Sequence, residues 1–261
     1  MNLEPSRDVL PELEIRHPED PPWTGWDVVL IGVVSLLAML ITTVIGMGVM
    51  TAAGVLKHGS PKLLDSDARI IIPVQLAAYV VTFFVMYSLV TRRYGRPFWT
   101  TVRWQAPVRW GGLIATGVCT ALTIQIAGKF LPIPKSLPIE TFFRNPASAY
   151  LMGIFGITAA PFVEELFFRG FLYPVAARRM GLAMGVVFTS GAFALIHQAQ
   201  LAHAWAPLAL LFCVGLVLTT TRARTGSVAA SFIVHVSYNF TLFFMLWVAT
   251  GGFRHLERLA E

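Results

Sequence analysis

Charged residues are scarce in this sequence. Asp, Glu, Lys and Arg make up only 13% of its 261 residues, whereas hydrophobic residues make up 56%. A soluble domain carries about 25% charged residues, so the composition excludes an ordinary soluble globular domain. It predicts instead a protein embedded in a lipid bilayer, where long apolar runs are buried in hydrocarbon.

Cysteine is rarer still. The only two cysteines, Cys119 and Cys213, both lie within apolar segments. This supports neither a disulfide framework nor a cysteine-based zinc site. We therefore expect both side chains to be buried small apolar groups.

The excess of basic residues, +6 overall, does not indicate nucleic acid as a partner. Most basic residues lie in short loops between apolar runs, where positive charge orients membrane helices. Basic and aromatic residues alternate over residues 94–110. That pattern is typical of a segment that lies on lipid headgroups, so the predicted partner is the lipid bilayer and not a nucleic acid.

Seven apolar runs are long enough, or nearly long enough, to cross a bilayer. They predict an all-α fold, a polytopic membrane helix bundle with about seven transmembrane helices and a buried polar site. The fourth run is interrupted by polar residues, and the fifth is short. The runs lie near residues 26–55, 70–91, 110–131, 149–176, 182–199, 205–222 and 227–250.

Residues 1–25 precede the first run and are polar and proline-containing. Such a segment buries too little apolar surface to offset the entropy of ordering, so we expect a flexible tail. At its boundary with the first run, Trp23 and Trp26 are expected to anchor the chain at the membrane surface, because tryptophan is enriched there.

The basic loops predict how the bundle is oriented. No acidic residue occurs between residues 70 and 138, and the loop inside this range is rich in arginine, so it should be cytoplasmic. Alternating spans then place two later arginine pairs on the same side. We therefore predict an integral, multi-pass membrane protein with a cytoplasmic N-terminus. The arginines concerned are Arg92, Arg93, Arg96 and Arg103 in the first loop, then Arg178 with Arg179, and Arg222 with Arg224.

Two adjacent carboxylates and an arginine interrupt the fourth run. Ionisable groups at membrane depth cost about 2.5–3.5 kcal/mol each on insertion scales and usually mark function. Glu165 and Arg169 are four residues apart, so they share a helix face and can pair, either in support of a site or for packing alone. Glu164 points about 100° away and has no local partner. Pro161, one turn earlier, is expected to kink the run and open space beside it.

Two later runs also carry polar residues. One ends in Phe193-Ala-Leu-Ile-His197, and another contains His235-Val-Ser-Tyr-Asn239. Counted at about 1.5 Å per residue from the predicted cytoplasmic ends, Glu164, His197, His235 and Asn239 lie at depths of roughly 20, 24, 13 and 20 Å. These depths allow the four side chains to share one cavity in the middle of the bilayer.

Such a cavity suits the activation of water. A buried carboxylate can act as a general base, and a histidine can hold the water or relay its proton. A second histidine and an asparagine amide can donate hydrogen bonds to a developing oxyanion. Glu164, His197 and His235 could instead bind zinc, with water as the fourth ligand. The sequence lacks the His-Glu-x-x-His zinc motif. It nevertheless leaves two options open, a site without a cofactor and a site that binds zinc.

The polar blocks resemble those of the CPBP family, also called the Abi or CAAX-protease and bacteriocin-processing family. The matching blocks are Glu164-Glu165-x-x-x-Arg169, Phe193-x-x-x-His197 and His235-x-x-x-Asn239, together with Phe212-x-x-Gly215 followed by Thr225-Gly226-Ser227-Val228. The resemblance covers roughly residues 110–250. It implies an intramembrane endopeptidase of the glutamate-dependent or metalloprotease type.

The resemblance also implies roles for individual residues. Glu164 and His197 would activate the water, and His235 with Asn239 would form the oxyanion hole. Glu165 and Arg169 would support the site. The implied substrate is a protein or peptide, either a prenylated CAAX-like C-terminus or a bacteriocin-type peptide.

The resemblance suggests a division of the chain behind the tail. Residues 26–109 would form N-terminal transmembrane helices with a basic interfacial loop. Residues 110–250 would form a CPBP-like, or Abi-like, catalytic membrane domain, and residues 251–261 a C-terminal tail.

Two other classes of function compete with the protease. A non-enzymatic membrane adaptor, or an immunity and self-protection protein, would bind its partner through the loops. A proton-coupled transporter would use buried Glu and His side chains as a relay. Transporters often contain internal repeats with interrupted helices in both halves, whereas here the ionisable residues deep in apolar runs all follow residue 160.

Overall fold

The computed structural model describes residues 20–54, 68–107, 109–134, 136–143 and 145–255. All regular structure in these ranges is helical, which confirms the predicted all-α fold. Most of the predicted N-terminal tail and the end of the predicted C-terminal tail lie outside the described residues. The helices are α1 (Gly25–Ala52), α2 (Ala68–Ser88), α3 (Phe98–Thr101), α4 (Trp110–Gly128), α5 (Pro146–Ile157), α6 (Ala159–Glu165), α7 (Tyr173–Met180), α8 (Leu182–Ile196), α9 (Trp205–Thr225) and α10 (Val228–Ala249).

Six of the described helical segments are long and apolar enough to cross a membrane, so the protein is an integral, multi-pass membrane protein. The fifth predicted run forms only α8, whose 15 residues extend about 22 Å. That is short of the roughly 30 Å hydrocarbon layer, so α8 is too short to cross the membrane by itself. The six long segments are Gly25–Ala52, Ala68–Arg93, Trp110–Gly128, Pro146–Met180, Trp205–Thr225 and Val228–Ala249.

Large apolar side chains cover the outside of the bundle. Leu36 is 73% exposed and Phe130 is 83% exposed, and many Val, Ile and Leu residues of α1 are open in the same way. Cys119 and Cys213 are exposed as well, so the expectation that they are buried is wrong. A soluble monomer rarely exposes apolar surface on this scale. Lipid is the solvent that matches it, whereas Glu165, Arg169 and His235 are buried inside the bundle.

The basic loops meet at one end of the bundle. Arg93 forms an ion pair with Asp27 at 3.1 Å, and the Tyr94 hydroxyl donates a hydrogen bond to the same carboxylate at 2.6 Å. The backbone N–H of Val228 donates to the Arg103 carbonyl at 2.9 Å. The start of α1, the loop after α2 and the start of α10 therefore share one end, as the alternation of spans predicts.

The expectation that Trp23 is a surface anchor is wrong. Its side chain is only 1% exposed and stacks on Phe171 with ring centroids 4.5 Å apart. A buried indole needs an acceptor for its N–H, and Nε1 donates to the Phe171 carbonyl at 3.1 Å. Arg178 also donates to the Trp23 carbonyl, so this stretch is fixed against α7. Trp26, by contrast, is 80% exposed, as a surface anchor requires.

The fourth run is broken on both sides of its carboxylates. Thr158 separates α5 from α6 and has φ −116° and ψ −76°. The break lies near the kink expected at Pro161, because proline has no N–H to donate to the preceding turn. Immediately after Glu165, residues Leu166–Leu172 form a π-helical segment. Such wide turns are rare and frequently occur at functional sites. The carboxylates therefore lie on a short α-helical piece between two irregularities.

Candidate active site

Three helices bring Glu164, His197 and His235 together. Glu164 lies on α6, His197 directly follows α8, and His235 lies on α10. One carboxylate oxygen of Glu164 is 3.9 Å from His197 Nε2, and the other is 3.9 Å from His235 Nε2. The side chains of Glu164 and His197 are 14% and 17% exposed, so this cluster can be reached from outside the bundle.

The hydrogen bonds of the two imidazoles define which nitrogen faces Glu164. His197 Nδ1 lies 2.8 Å from the Phe193 carbonyl, and His235 Nδ1 lies 2.9 Å from Glu165 Oε1. A carbonyl and a carboxylate only accept hydrogen bonds, so both Nδ1 atoms carry the proton. Each histidine therefore turns Nε2 towards Glu164. A separation of 3.9 Å is too long for a direct hydrogen bond and suits a shared water molecule.

Glu165 forms the buried support of His235. Its side chain is fully buried and accepts hydrogen bonds from Arg169, His235 and Ser231. The Arg169 and His235 contacts are both 2.9 Å long. Three donors around one carboxylate satisfy a charge that would otherwise be very unfavourable in the bundle core.

Arg169 connects this carboxylate to α9. The guanidinium is fully buried, donates to the Thr219 hydroxyl and the Gly215 carbonyl at 3.3 Å each, and lies 4.6 Å above the Phe193 ring. A Cβ atom on Gly215 would lie 3.1 Å from Ser190, so glycine permits the close approach of α8 and α9. Arg169 is therefore held by two helices besides its own.

Asn239 is the predicted site residue that the structure does not bring into contact with the cluster. Within the described helices, its Nδ2 donates to the Gly156 carbonyl at 2.6 Å and not to a residue of the cluster. Gly156 lies in the last turn of α5, where carbonyls lack a helical donor. In this structure Asn239 stabilises the break before α6.

Ser231, Thr219 and Gly215 complete the surroundings of the site. Ser231 precedes His235 by one helical turn, and that spacing is a signal for a shared face. Thr219 and Gly215 are likewise one turn apart on α9. Sequence reasoning singled out Gly215 only as part of a block and missed the other two, because their contacts with α6 and its π-helical extension cross between helices.

The zinc hypothesis can be compared with the donors present. Within the ranges that the structure describes, no group of three or more His, Cys, Asp or Glu side chains is arranged to hold a metal ion. Zinc requires each donor at about 2.0–2.2 Å from one point, whereas the two imidazoles here face different oxygens of Glu164. The donor set as placed does not fit zinc.

Comparison with known families finds a similarity over part of the chain that includes this arrangement. Residues 146–241 match the family model described as type II CAAX prenyl endopeptidase Rce1-like. This match confirms the predicted resemblance to the CPBP intramembrane proteases, and the matched segment contains all six predicted site residues. No curated protein and no solved structure matches the chain.

Proposed function

We propose that this protein is an intramembrane endopeptidase in which Glu164 activates a water molecule for peptide-bond hydrolysis. The family match supports CAAX-type endopeptidase activity at the level of the family. One observation carries the assignment to Glu164: each oxygen of its carboxylate faces the Nε2 atom of a different histidine at 3.9 Å. A carboxylate with solvent access between two imidazoles has the arrangement of a general base.

The proposed reaction uses the three side chains in sequence. Glu164 accepts a proton from the water, whose oxygen attacks the carbon of the scissile carbonyl. The carbonyl π electrons move to oxygen and form an oxyanion. The C–N bond then breaks, and Glu164 returns the proton to the leaving nitrogen. His197 holds the water through Nε2, since its Nδ1 is fixed by the Phe193 carbonyl.

His235 is proposed to stabilise the oxyanion. Glu165 accepts a hydrogen bond from Nδ1 and thereby fixes the ring with Nε2 directed into the site. When Nε2 also carries a proton, the imidazolium donates from both nitrogens, from Nδ1 to Glu165 and from Nε2 to the oxyanion. Arg169 in turn holds Glu165, so these two residues support the site without touching the substrate.

The proposed substrate is a polypeptide with a membrane-embedded or lipid-modified C-terminus. The site lies among membrane-spanning helices, and the matched family is described by its action on CAAX prenyl proteins. A prenylated CAAX-like C-terminus is therefore the first candidate, and an unmodified membrane-active peptide of the bacteriocin type is the second.

The test is cleavage of defined peptides by the purified protein. Farnesylated CAAX peptides, the same peptides without farnesyl, and an apolar bacteriocin-like peptide would be incubated with wild type and Glu164→Gln, and products identified by mass spectrometry. We expect cleavage by wild type alone. Equal cleavage by both proteins would reject Glu164 as the base, and cleavage of unmodified peptides only would reject prenylated substrates.

We also propose that the arginine-rich end of the bundle faces the cytoplasm. The ion pair of Arg93 with Asp27 and the contact of Arg178 with Asp20 lie at this end, together with the exposed Arg92 and Arg96. Positively charged short loops are retained on the cytoplasmic side, which supports a cytoplasmic N-terminus.

A further inference from the structure

A polar pair on α2 lies outside the segment matched by the family model. Gln75 and Tyr79 are one turn apart in a largely apolar helix, and Gln75 Nε2 donates to the Tyr79 hydroxyl at 3.1 Å. The hydroxyl therefore acts as an acceptor in this bond and keeps its own proton for another partner. Among the described residues no atom accepts that proton. Polar groups at membrane depth are commonly functional.

The packing of α2 directs this pair towards Glu164. The Tyr79 ring stacks on Phe155 with centroids 5.7 Å apart, and it packs against the buried cluster that contains Ala160. Ala160 and Glu164 are four residues apart on α6, so they share one face of that helix.

The site needs a second donor for the oxyanion. The resemblance implies Asn239 for this task, but its amide donates to the Gly156 carbonyl. The water activated by Glu164 attacks the scissile carbonyl, so that carbonyl must lie in front of the Glu164 carboxylate. This is the face of α6 that Tyr79 approaches. A phenolic O–H is a strong enough donor for such a role, and its proton has no acceptor among the described residues.

We propose that Tyr79 is a further catalytic residue, whose hydroxyl, oriented by Gln75, donates a hydrogen bond to the oxyanion formed in front of Glu164. This inference rests on the proposed function of Glu164 as the base. It extends the active site to α2, in the N-terminal half of the chain.

The first experiment compares Tyr79→Phe with wild type on a farnesylated CAAX peptide and its unmodified counterpart. Phe keeps the stacking on Phe155 and removes only the hydroxyl. Loss of one oxyanion donor lowers kcat by about 10²-fold or more, so we expect a fall of that size with KM changed less than about threefold. Tyr87→Phe, the same change two turns further along α2, is the matched control and should keep wild-type kcat.

A second variant covers the possibility that Tyr79→Phe disturbs folding. Gln75→Leu leaves the phenol in place but removes the group that orients it, and we expect a smaller loss of kcat, about tenfold. Affinity for a phosphinate peptide, a tetrahedral analogue of the intermediate, should fall in Tyr79→Phe by the same factor as kcat/KM, while affinity for the unreacted peptide in a Glu164→Gln background should not change.

The outcomes separate the inference from the function on which it rests. Full activity of Tyr79→Phe alongside active wild type would overturn the role of Tyr79 and leave the protease standing. An equal loss of affinity for phosphinate and unreacted peptide would also overturn it, since that pattern indicates a structural role. Failure of wild type to cleave any of the peptides, while correctly folded, would reject the proposed function and this inference together.

Discussion

The carboxylate of Glu165 and the guanidinium of Arg169 lie 2.9 Å apart, and both side chains are completely buried. Neither charge is stable alone in the core of a membrane bundle, so each residue depends on the other. Through His235, the pair also determines which nitrogen faces Glu164. Removing one charge should therefore lower stability, whereas removing both should restore stability but leave His235 without its acceptor.

Arg169→Met should destabilise the protein strongly. It leaves the Glu165 charge buried without its cationic partner, and breaking a buried pair in this way costs about 3–5 kcal/mol. The free energy of unfolding in detergent micelles would show the loss. The double variant Glu165→Leu with Arg169→Met should recover most of the stability and remain inactive, because His235 has lost its acceptor.

An unchanged free energy of unfolding in Arg169→Met would contradict the dependence of the two charges on each other. Recovery of activity in the double variant would contradict the role of Glu165 in orienting His235.

His197→Ala should abolish most of the activity while the protein remains folded. The side chain is partly exposed and makes one hydrogen bond, to the Phe193 carbonyl, so the loss of stability should be about 1 kcal/mol or less. The loss of kcat should be about 10²–10⁴-fold, the contribution typical of a group that handles a proton or positions water. Peptide cleavage and thermal unfolding of the same preparation give both values.

His203→Ala is the matched control for this experiment. His203 is exposed in the turn that follows α8 and should be replaceable without loss of activity. If both alanine variants lost activity equally, His197 would have no special role.

Ser231→Ala should weaken the support of Glu165. The serine hydroxyl donates to Glu165 Oε2, and a hydrogen bond to a charged group contributes about 1.5–3 kcal/mol. We expect a loss of stability in that range, measured by unfolding, with a fall in kcat that follows from a less well-oriented His235. Ser237→Ala, a similar change on the same helix, should have little effect on either quantity, and equal effects of the two variants would count against the proposed support.

The proposed orientation can be tested by labelling. In a variant without Cys119 and Cys213, Arg96→Cys would place a single thiol at the arginine-rich end, and His203→Cys a single thiol in the turn after α8. A membrane-impermeant maleimide applied to intact cells should label the second variant and not the first. The reverse pattern would show that the arginine-rich end faces outward.

Helical spacing was sufficient to predict part of the site. Glu165 with Arg169 are a local pair within one stretch of chain, and their i,i+4 relation indicates the contact that the structure contains. The apolar runs likewise indicate an all-helical membrane bundle because the length of a span is fixed by the bilayer.

Contacts between helices could not be read in the same way. Arg169 reaches Thr219, fifty residues further along the chain, and Glu165 reaches Ser231 across to α10. The hydrogen bond of Asn239 depends on the break after α5, and the burial of Trp23 depends on the fold of the π-helical segment. Each of these depends on how helices pack, which local spacing does not determine.

The most direct measurement is the rate of peptide cleavage by Glu164→Gln. Glutamine matches the shape of the side chain and cannot accept the proton from water, so the proposal requires kcat to fall by at least about 10²-fold with the fold intact. Glu140→Gln, at an exposed position in the 3-10 helix Pro138–Phe143, is the control and should cleave normally. Cleavage by wild type that survives a chelator would agree with a metal-free mechanism. Full activity of Glu164→Gln would contradict the proposal that Glu164 is the general base.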